Sequence, residues 1–202
     1  MDRKIKKIMP RVVFQRLENL YSKMEDAYKD VARDIGFTCD QCPDNCCTSY
    51  FQHHTRVEWA YFIRGLNQCP DPLRQRIIDR AEYYVQKADW ELKNNKTPDI
   101  MCPVNENGLC TVYKHRLMIC RMHGVPTVHV RPDGRRLEFS GCFRSQESTA
   151  DLDGFTRLDR TEFYQELAML EQAFVGPKIY SLPKVDLTLA QMIVHGPPRL
   201  SK

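Results

Sequence analysis

The chain has 202 residues, of which 42% are hydrophobic and 28% charged, and its formal net charge is +4. These values are ordinary for a globular protein that is long enough to bury a core, so we expect a single domain over residues 1–202. The mild charge does not favour a nucleic-acid-binding protein, because such proteins concentrate lysine and arginine on one face.

Neither a secretory signal nor a membrane helix is predicted. Met1 is followed by charged residues and a proline instead of the apolar stretch of a signal peptide. No run of residues approaches the roughly 18 apolar side chains that a membrane-spanning helix needs. We therefore expect a cytoplasmic protein without membrane contact. Since disulfides rarely persist in a reducing cytosol, clustered cysteines there indicate metal or redox chemistry.

Three helices are predicted in the first half of the chain. Apolar side chains recur at helical spacing over residues 11–35, and Gly36 is a typical helix end. Thr55-Arg56-Val57-Glu58 has the spacing of a capping box, which predicts a helix over 55–66. Asp71-Pro72 predicts an N-cap followed by proline at the first helical position, and this third helix should end within 93–96.

A β-hairpin interrupts the helical pattern in the second half. Residues 98–123 are expected to be irregular apart from a helical turn near Tyr113–Met118. Beyond them, Thr127–Val130 and Arg136–Phe139 carry β-branched and aromatic side chains. The intervening Pro132-Asp133-Gly134 supplies turn residues, so the two segments predict a hairpin.

The C-terminal part returns to helix. A second capping box from Asp159 to Glu162 opens a helix that Gly176-Pro177 ends, and a short helix is predicted over Leu187–Val194. The predicted class is mainly α with a small β-hairpin, with irregular cysteine-rich metal-binding loops held between helices. In this organisation a cysteine-cluster region, 36–145, is flanked by the helix 11–35 and a helical C-terminal segment, 159–195.

Eight of the nine cysteines fall into two groups that predict a metal site. Four lie within nine residues, and the others follow at longer intervals. The Cys-x-x-Cys spacing of the first two is a common half of a zinc or iron–sulfur site. The ninth, Cys69, stands alone before Pro70, and we expect it to be a small buried hydrophobe. The eight predicted ligands are Cys39, Cys42, Cys46, Cys47, Cys102, Cys110, Cys120 and Cys142.

The adjacent pair Cys46-Cys47 limits the kind of site. Neighbouring residues project in different directions, so the two thiols cannot easily bind the same single ion. Either they serve two metal atoms, or one is a ligand and the other a neighbour. This favours a polynuclear centre or two close sites over one simple zinc finger. The spacing fits neither a radical-SAM nor a two-cluster ferredoxin motif.

Cations and histidines near the cysteines suggest supporting roles. Arg116, Arg121 and Lys114 are positioned in sequence to offset the negative charge of metal-bound thiolates and to donate hydrogen bonds to sulfur. His123 is a possible reserve ligand, whereas His53-His54 are expected to have a surface or capping role. The chain has no dinucleotide fingerprint and no P-loop, so an enzymatic function would depend on the metal alone.

The combined cysteine pattern resembles the YkgJ-type cysteine-cluster family, which is described as zinc- or iron-chelating. The residues that carry the likeness are Cys39-x-x-Cys42-x-x-x-Cys46-Cys47, Cys102-Pro103, Gly108-Leu109-Cys110-Thr111-Val112-Tyr113-Lys114-His115-Arg116 and Cys120-Arg121. Cys142 is similar to a later cysteine of that family, and Leu117 departs from its usual proline. The resemblance covers residues 39–142. It implies metal chelation with Tyr113, Arg116 and Arg121 beside the ligands, and it leaves the metal open.

The sequence therefore favours a metal-binding protein that holds an iron–sulfur cluster, either for electron transfer or as a redox-sensitive component with a protein partner. One alternative is a zinc protein in which Zn²⁺ holds loops together and presents a surface. A second is a metal-dependent modifying enzyme with an open coordination position. Each requires the two cysteine groups, which are more than fifty residues apart, to converge in space.

Overall fold

The computed structural model describes residues 6–39, 42 and 46–200. Its elements confirm the mainly α class with a β-hairpin, and none of the helices within these ranges has both the length and the apolar character to cross a membrane. The helices are α1 (Pro10–Asp34), α2 (Arg56–Leu66), α3 (Asp71–Lys93), α4 (Met118–Met122), α5 (Phe143–Thr149), α6 (Thr161–Val175) and α7 (Leu189–His195). The strands are β1 (Asn105–Glu106), β2 (Leu109–Cys110), β3 (Thr127–Val130), β4 (Arg136–Phe139) and β5 (Leu158–Asp159). Short 3₁₀ turns cover Cys46–Thr48, Tyr113–His115 and Pro177–Ser181.

Two buried cores organise the helices. The first core joins buried residues of α1, α2, α4 and α6, and the second joins those of α2, α3 and α7 with residues from the segment 100–117. Helix α2 serves both, because Val57 and Tyr61 face the first core while Phe62 and Ile63 face the second. The cysteines contact both cores: Cys142 packs against the first, and Cys102 and Cys110 pack against the second.

Helix α1 follows from its periodic apolar stripe. Val13, Leu17, Leu20 and Met24 are all fully buried, and each contributes about 1.5–3 kcal/mol by leaving water. Gly36 ends the helix with φ +62°, a left-handed conformation that glycine adopts without steric cost. The predicted bounds therefore agree with the structure to within one residue at each end.

The predicted capping boxes at Thr55 and Asp159 are wrong. Thr55 is the extended N-cap of α2, but its hydroxyl donates to Glu58 Oε2 (2.9 Å) instead of accepting from the backbone. The Glu58 carboxylate is engaged by the Met118 N–H from sixty residues away, a contact that local spacing cannot reveal. Asp159 lies in β5, and its Oδ1 accepts from the N–H of Thr161, so α6 begins two residues later than predicted.

Other helix starts shift by one or two residues. Helix α3 begins at Asp71 with Pro70 as its N-cap, so Asp71 is the first helical residue and not the cap. Helix α7 begins at Leu189, where Thr188 and Gln191 do form a capping box. The ends of both helices lie within a residue of the predicted limits. In α3 the apolar pattern repeats over many turns, and in α7 the C-cap Gly196 marks the end.

The predicted hairpin is confirmed, and it forms part of a larger sheet. Strands β3 and β4 pair antiparallel with Thr127 opposite Phe139 and Val130 opposite Arg136. Strand β5 adds to the other edge of β3 in parallel, with Thr127 opposite Leu158. A two-residue strand has too short a pattern to be predicted from its own residues, which is why β5 was not expected.

Candidate metal centre

A cavity of about 520 Å³ brings the two cysteine groups together. Residues of α1, α2, α3 and α7 contribute to its wall. In the described part of the chain, Cys42 and Cys142 are the predicted ligands that do not line it, and Cys69 also lies elsewhere. Cysteines of both groups therefore lie around one cavity, and convergence of all eight stays a prediction. The cysteines that line the cavity are Cys39, Cys46, Cys47, Cys102, Cys110 and Cys120.

Backbone hydrogen bonds fix three of these cysteines side by side. The Cys102 N–H donates to the Cys47 carbonyl (2.9 Å), and the Asn105 N–H donates to the Cys102 carbonyl (3.0 Å). Asn105 then pairs with Cys110 across the β1–β2 ladder. The chain therefore turns back on itself after Cys102 and returns Cys110 to the same wall of the cavity as Cys47.

Cys120 is held in place by α4, which is tied to the neighbouring helices through Glu58. The Glu58 side chain is buried, and its Oε1 accepts from the Met118 N–H (2.7 Å) and from the Tyr21 hydroxyl (2.8 Å). Burial raises the pKa of this carboxyl, and its three donors oppose that effect. The contacts join α4 to α1 and α2, so the position of Cys120 depends on a residue that is remote in sequence.

A second region, beside α1, contains Cys39 and Cys142. The Tyr28 hydroxyl lies 3.9 Å from Cys39 Sγ, and a Cβ added to Gly124 would be 2.6 Å from the same hydroxyl. The Gly124 carbonyl accepts from the Cys142 N–H (2.8 Å). Burial is the largest cause of the raised pKa of Tyr28, and the charges of Cys39 and Cys142 raise it further. Tyr28 therefore contacts Cys39 and lies next to Gly124, the backbone partner of Cys142.

Cys42 is linked to Cys39 by the local turn. Its N–H donates to the Cys39 carbonyl (3.3 Å), which is the compact geometry expected of a Cys-x-x-Cys pair. Five residues of the motif, Asp40, Gln41 and Pro43 to Asn45, lie outside the described part of the chain. The 3₁₀ turn Cys46–Thr48 then carries the adjacent pair into the cavity wall.

The thiols differ in their readiness to ionise. Burial raises the pKa of Cys102 and of Cys110, and it raises that of Cys120 to about 12. The pKa of Cys47 is lowered to about 6 by a hydrogen bond with Cys46, by the Asn105 side chain and by the charge of Arg116. The hydrogen bond between the two thiols raises the pKa of Cys46. Any metal that binds here must displace protons from most of these thiols, so its affinity will fall at low pH.

Arg116, Arg121 and Tyr113 lie beside the thiols in distinct ways. The Arg116 guanidinium stacks 3.6 Å over the Tyr113 ring, and its positive charge opposes the effect of burial on the pKa of Cys110 and of Cys120. Arg121 stacks over Tyr21 (4.0 Å) and donates to the carbonyls of Arg116 (2.8 Å) and Lys114 (2.7 Å). Arg121 therefore holds the loop, and Arg116 contributes charge at the cavity.

The histidines only partly match their predicted roles. His123 lines the cavity, contacts the Phe51 ring edge-on (centroids 5.1 Å apart) and has a pKa lowered by burial, so its reserve-ligand role stays a prediction. A surface role is wrong for His53, which is 4% exposed and lines the cavity. It is right for His54, whose side chain is exposed.

Three further residues of the site were not predicted from the sequence. Tyr28 was assigned to the apolar stripe of α1, and Glu58 was assigned to a capping box. Asn105 had no feature that pointed to Cys47, although an asparagine two residues before Asn107-Gly108 is typical of a tight turn. In each case the functional contact is with a residue distant along the chain.

The donor set fits a soft metal, although the thiols do not enclose one. None of the nine cysteines, each of which belongs to the described residues, is in a disulfide. Over residues 6–39, 42 and 46–200, no three cysteine, histidine or carboxylate side chains are grouped closely enough to hold one ion. Thiolates select zinc, copper(I) and iron–sulfur clusters. No protein-family model, curated protein or solved structure matches this chain.

Proposed function

We propose that this protein holds an iron–sulfur cluster through its clustered cysteines and uses it for electron transfer or as a redox-sensitive component of a larger system. The observation that carries the proposal is that thiols from three separate segments, 39–47, 102–110 and α4, line one cavity. Cysteine thiolates are the ligands of such clusters. A cytoplasmic location, which the proposal includes, would keep these thiols reduced and available.

The number of thiols and their surroundings support a cluster. A zinc ion takes four ligands, whereas this chain offers eight cysteines in two groups. Phe37, Phe51 and Phe62 contribute apolar surface to the cavity, and Arg116 adds a positive charge. Burial and nearby charge are the means by which a protein sets the reduction potential of an iron–sulfur cluster.

A zinc-binding structural role is the second candidate. It is favoured by the small amount of regular structure around Cys46, Cys47, Cys102 and Cys110, where the described residues form the 3₁₀ turn Cys46–Thr48 and the two-residue strands β1 and β2. Structural zinc sites supply folding free energy to such segments. In that case the metal would hold the loops together and present a surface to another protein.

The proposal includes a protein partner at the face that bears Leu109 and Tyr113. Both line the cavity, yet they are 75% and 56% exposed. Exposed apolar side chains at the rim of a site are suited to a short-lived contact with an electron donor or acceptor. Such a contact would bring the partner close to the thiols.

The test is to purify the protein anaerobically and to measure its visible spectrum, iron, acid-labile sulfide and zinc. We expect iron and sulfide in comparable amounts and a broad visible absorption that bleaches on reduction. Replacing Cys110 with Ser should remove the absorption, because a hydroxyl is a poor substitute for a soft thiolate. Replacing Cys69 with Ser should leave it unchanged. A colourless protein that contains zinc would support the second candidate, and a protein that binds neither metal would contradict both.

A further inference from the structure

We propose that the eight cysteines form two adjacent four-thiol metal sites and not one site. Cys39, Cys42, Cys46 and Cys142 make the first-core site, and Cys47, Cys102, Cys110 and Cys120 make the second-core site. The inference rests on the proposed function, because it assumes that the protein binds metal and that binding draws the thiols together; no three of them are grouped closely enough in the described residues to hold one ion. It assigns each thiol to one of the two sites, and the spacing of the cysteines along the chain is not sufficient for that assignment.

The second-core site is defined by a continuous set of backbone contacts. The Cys102 N–H is bonded to the Cys47 carbonyl, and Asn105 links Cys102 to Cys110 through one hydrogen bond and one ladder pairing. Cys102 and Cys110 also pack against the second core. Cys120 completes the set, since α4 places it on the same cavity; among the charges that shift its pKa, those of Cys110 and Cys47 are the largest.

The first-core site is defined by contacts around Tyr28. The Tyr28 hydroxyl reaches Cys39 Sγ, and it abuts Gly124, whose carbonyl binds the Cys142 N–H. Cys142 packs against the first core, whereas Cys102 and Cys110 pack against the second. Gly141, with φ +84°, permits this approach, because a Cβ there would lie 2.5 Å from the Gly124 carbonyl oxygen.

Cys46 and Cys42 complete the first-core site. Cys46 precedes Cys47 in the 3₁₀ turn Cys46–Thr48, and we assign it to the first-core site because its side chain must diverge from that of Cys47. Cys42 is joined to Cys39 by the turn of the Cys-x-x-Cys pair. This gives four thiols, the number that a structural zinc ion or a [4Fe–4S] cluster requires.

The Cys46-Cys47 dipeptide joins the two sites. The side chains of consecutive residues diverge, which would let one thiol serve each site, and the two thiols hydrogen-bond to each other. Two metal centres that take ligands from consecutive residues must lie close together. Such proximity would let an electron pass from one centre to the other within the same molecule.

The number of sites is tested by titrating reduced, metal-free, full-length protein with Co²⁺ under anaerobic conditions. Thiolate-to-cobalt absorption reports binding, and native mass spectrometry counts the ions. Two Co²⁺ per chain, each in a four-thiolate environment, is the expected result. One ion, or three or more ions that share bridging thiolates, would overturn the two-site inference while leaving metal binding intact. Complete failure to bind would instead contradict the proposed function itself.

The membership of each site is tested by cysteine-to-serine variants in the same titration. C142S and C110S should each bind one Co²⁺, and the double variant C142S/C110S should bind none. The double variant C39S/C142S should still bind one, because both changes fall in the first-core site. C69S, the matched control, should bind two. If C142S and C110S each abolish all binding while circular dichroism shows intact helices, the eight thiols form one site.

Discussion

At the residue scale, burial decides what a titratable side chain does. His53 and His54 are neighbours, yet the backbone pairing of His53 with Leu187 directs one ring into the cavity wall and leaves the other in solvent. Burial lowers the pKa of His53 to about 3. The sequence could not distinguish the two histidines, because the pairing partner lies more than a hundred residues away.

We predict that His53 makes the protein less stable in acid. In the unfolded chain this histidine takes up a proton below its ordinary pKa of 6.5, whereas in the folded protein it stays neutral down to about pH 3. Stability should therefore fall as the pH drops through this window, by about 1.4 kcal/mol per pH unit. Urea denaturation at several pH values between 7 and 4 measures the slope.

The matched pair His53→Gln and His54→Gln isolates this effect. In H53Q the free energy of unfolding should fall less steeply between pH 7 and pH 4 than in the wild-type protein, whatever its value at pH 7. H54Q should keep most of the wild-type slope, because burial is the larger cause of the lowered His53 pKa and the charge of His54 the smaller. The comparison is repeated with chelated protein, because His53 lines the cavity and its replacement could change metal retention. Equal slopes in H53Q and the wild-type protein would contradict the burial argument.

At the element scale, length determines which helices and strands could be predicted. Helix α1 has 25 residues, over which the apolar period repeats many times, and its bounds were predicted to within one residue. Helices α4 and α5, with five and seven residues, were not predicted. Their positions depend on tertiary contacts, since α4 starts where Glu58 binds the Met118 N–H. The candidate site shows the same dependence on tertiary contacts. Its cysteines could be predicted from their spacing, whereas the role of Glu58 could not.

We predict that Glu58→Ala lowers the free energy of unfolding by about 2–4 kcal/mol, because it leaves the buried donors of Met118 and Tyr21 without an acceptor. Chemical denaturation measures the change. Glu162→Ala is the control, since Glu162 is an exposed residue of α6 and its loss should shift stability by no more than about 0.5 kcal/mol. Similar losses in the two variants would mean that Glu58 does not hold α4.

A second prediction concerns the contact between α2 and the turn Tyr113–His115. A methyl group at Gly65 would overlap the His115 ring, which stacks on Tyr61 (centroids 4.6 Å apart). Gly65→Ala should therefore displace the turn and cost about 1–3 kcal/mol of stability. If the protein binds metal as proposed, G65A should also reduce metal retention, since the turn begins three residues after Cys110. Denaturation and metal content measure the two effects.

The control for Gly65 is Gly154→Ala. A Cβ at Gly154 meets no atom within 4 Å, so this variant should keep both its stability and its metal. An equal effect at the two glycines would show that the closeness of α2 to the turn is unimportant.

At the scale of the whole molecule, the cysteine segments connect two cores that α2 already joins. Cys142 packs against the first core, and Cys102 and Cys110 pack against the second. The spacing of the cysteines predicted that the two groups would meet. It could not predict which thiol would lie against which core, because that depends on how α1, α2 and α3 pack. Metal bound at these thiols would add links between segments that have few apolar contacts of their own.

The last prediction rests on the proposed metal binding: removing the metal should open the segment around Lys114 and Arg116. Cys110 and Cys120 flank this segment, and its other ties include the hydrogen bonds from Arg121 to two of its carbonyls and the contact of His115 with Tyr61. Losing the metal–thiolate bonds on both sides should raise the population of the locally open state, and trypsin cleavage after Lys114 or Arg116 should accelerate by on the order of tenfold or more. Cleavage within α3, after Arg74 or Arg80, should not change, because its buried stripe of Ile77, Ala81, Tyr84 and Ala88 does not depend on the metal. Limited proteolysis with and without a chelator, under reducing conditions, measures both rates. Unchanged cleavage in the segment would mean that the metal does not stabilise it, and equal acceleration in α3 would mean that the metal supports the whole fold.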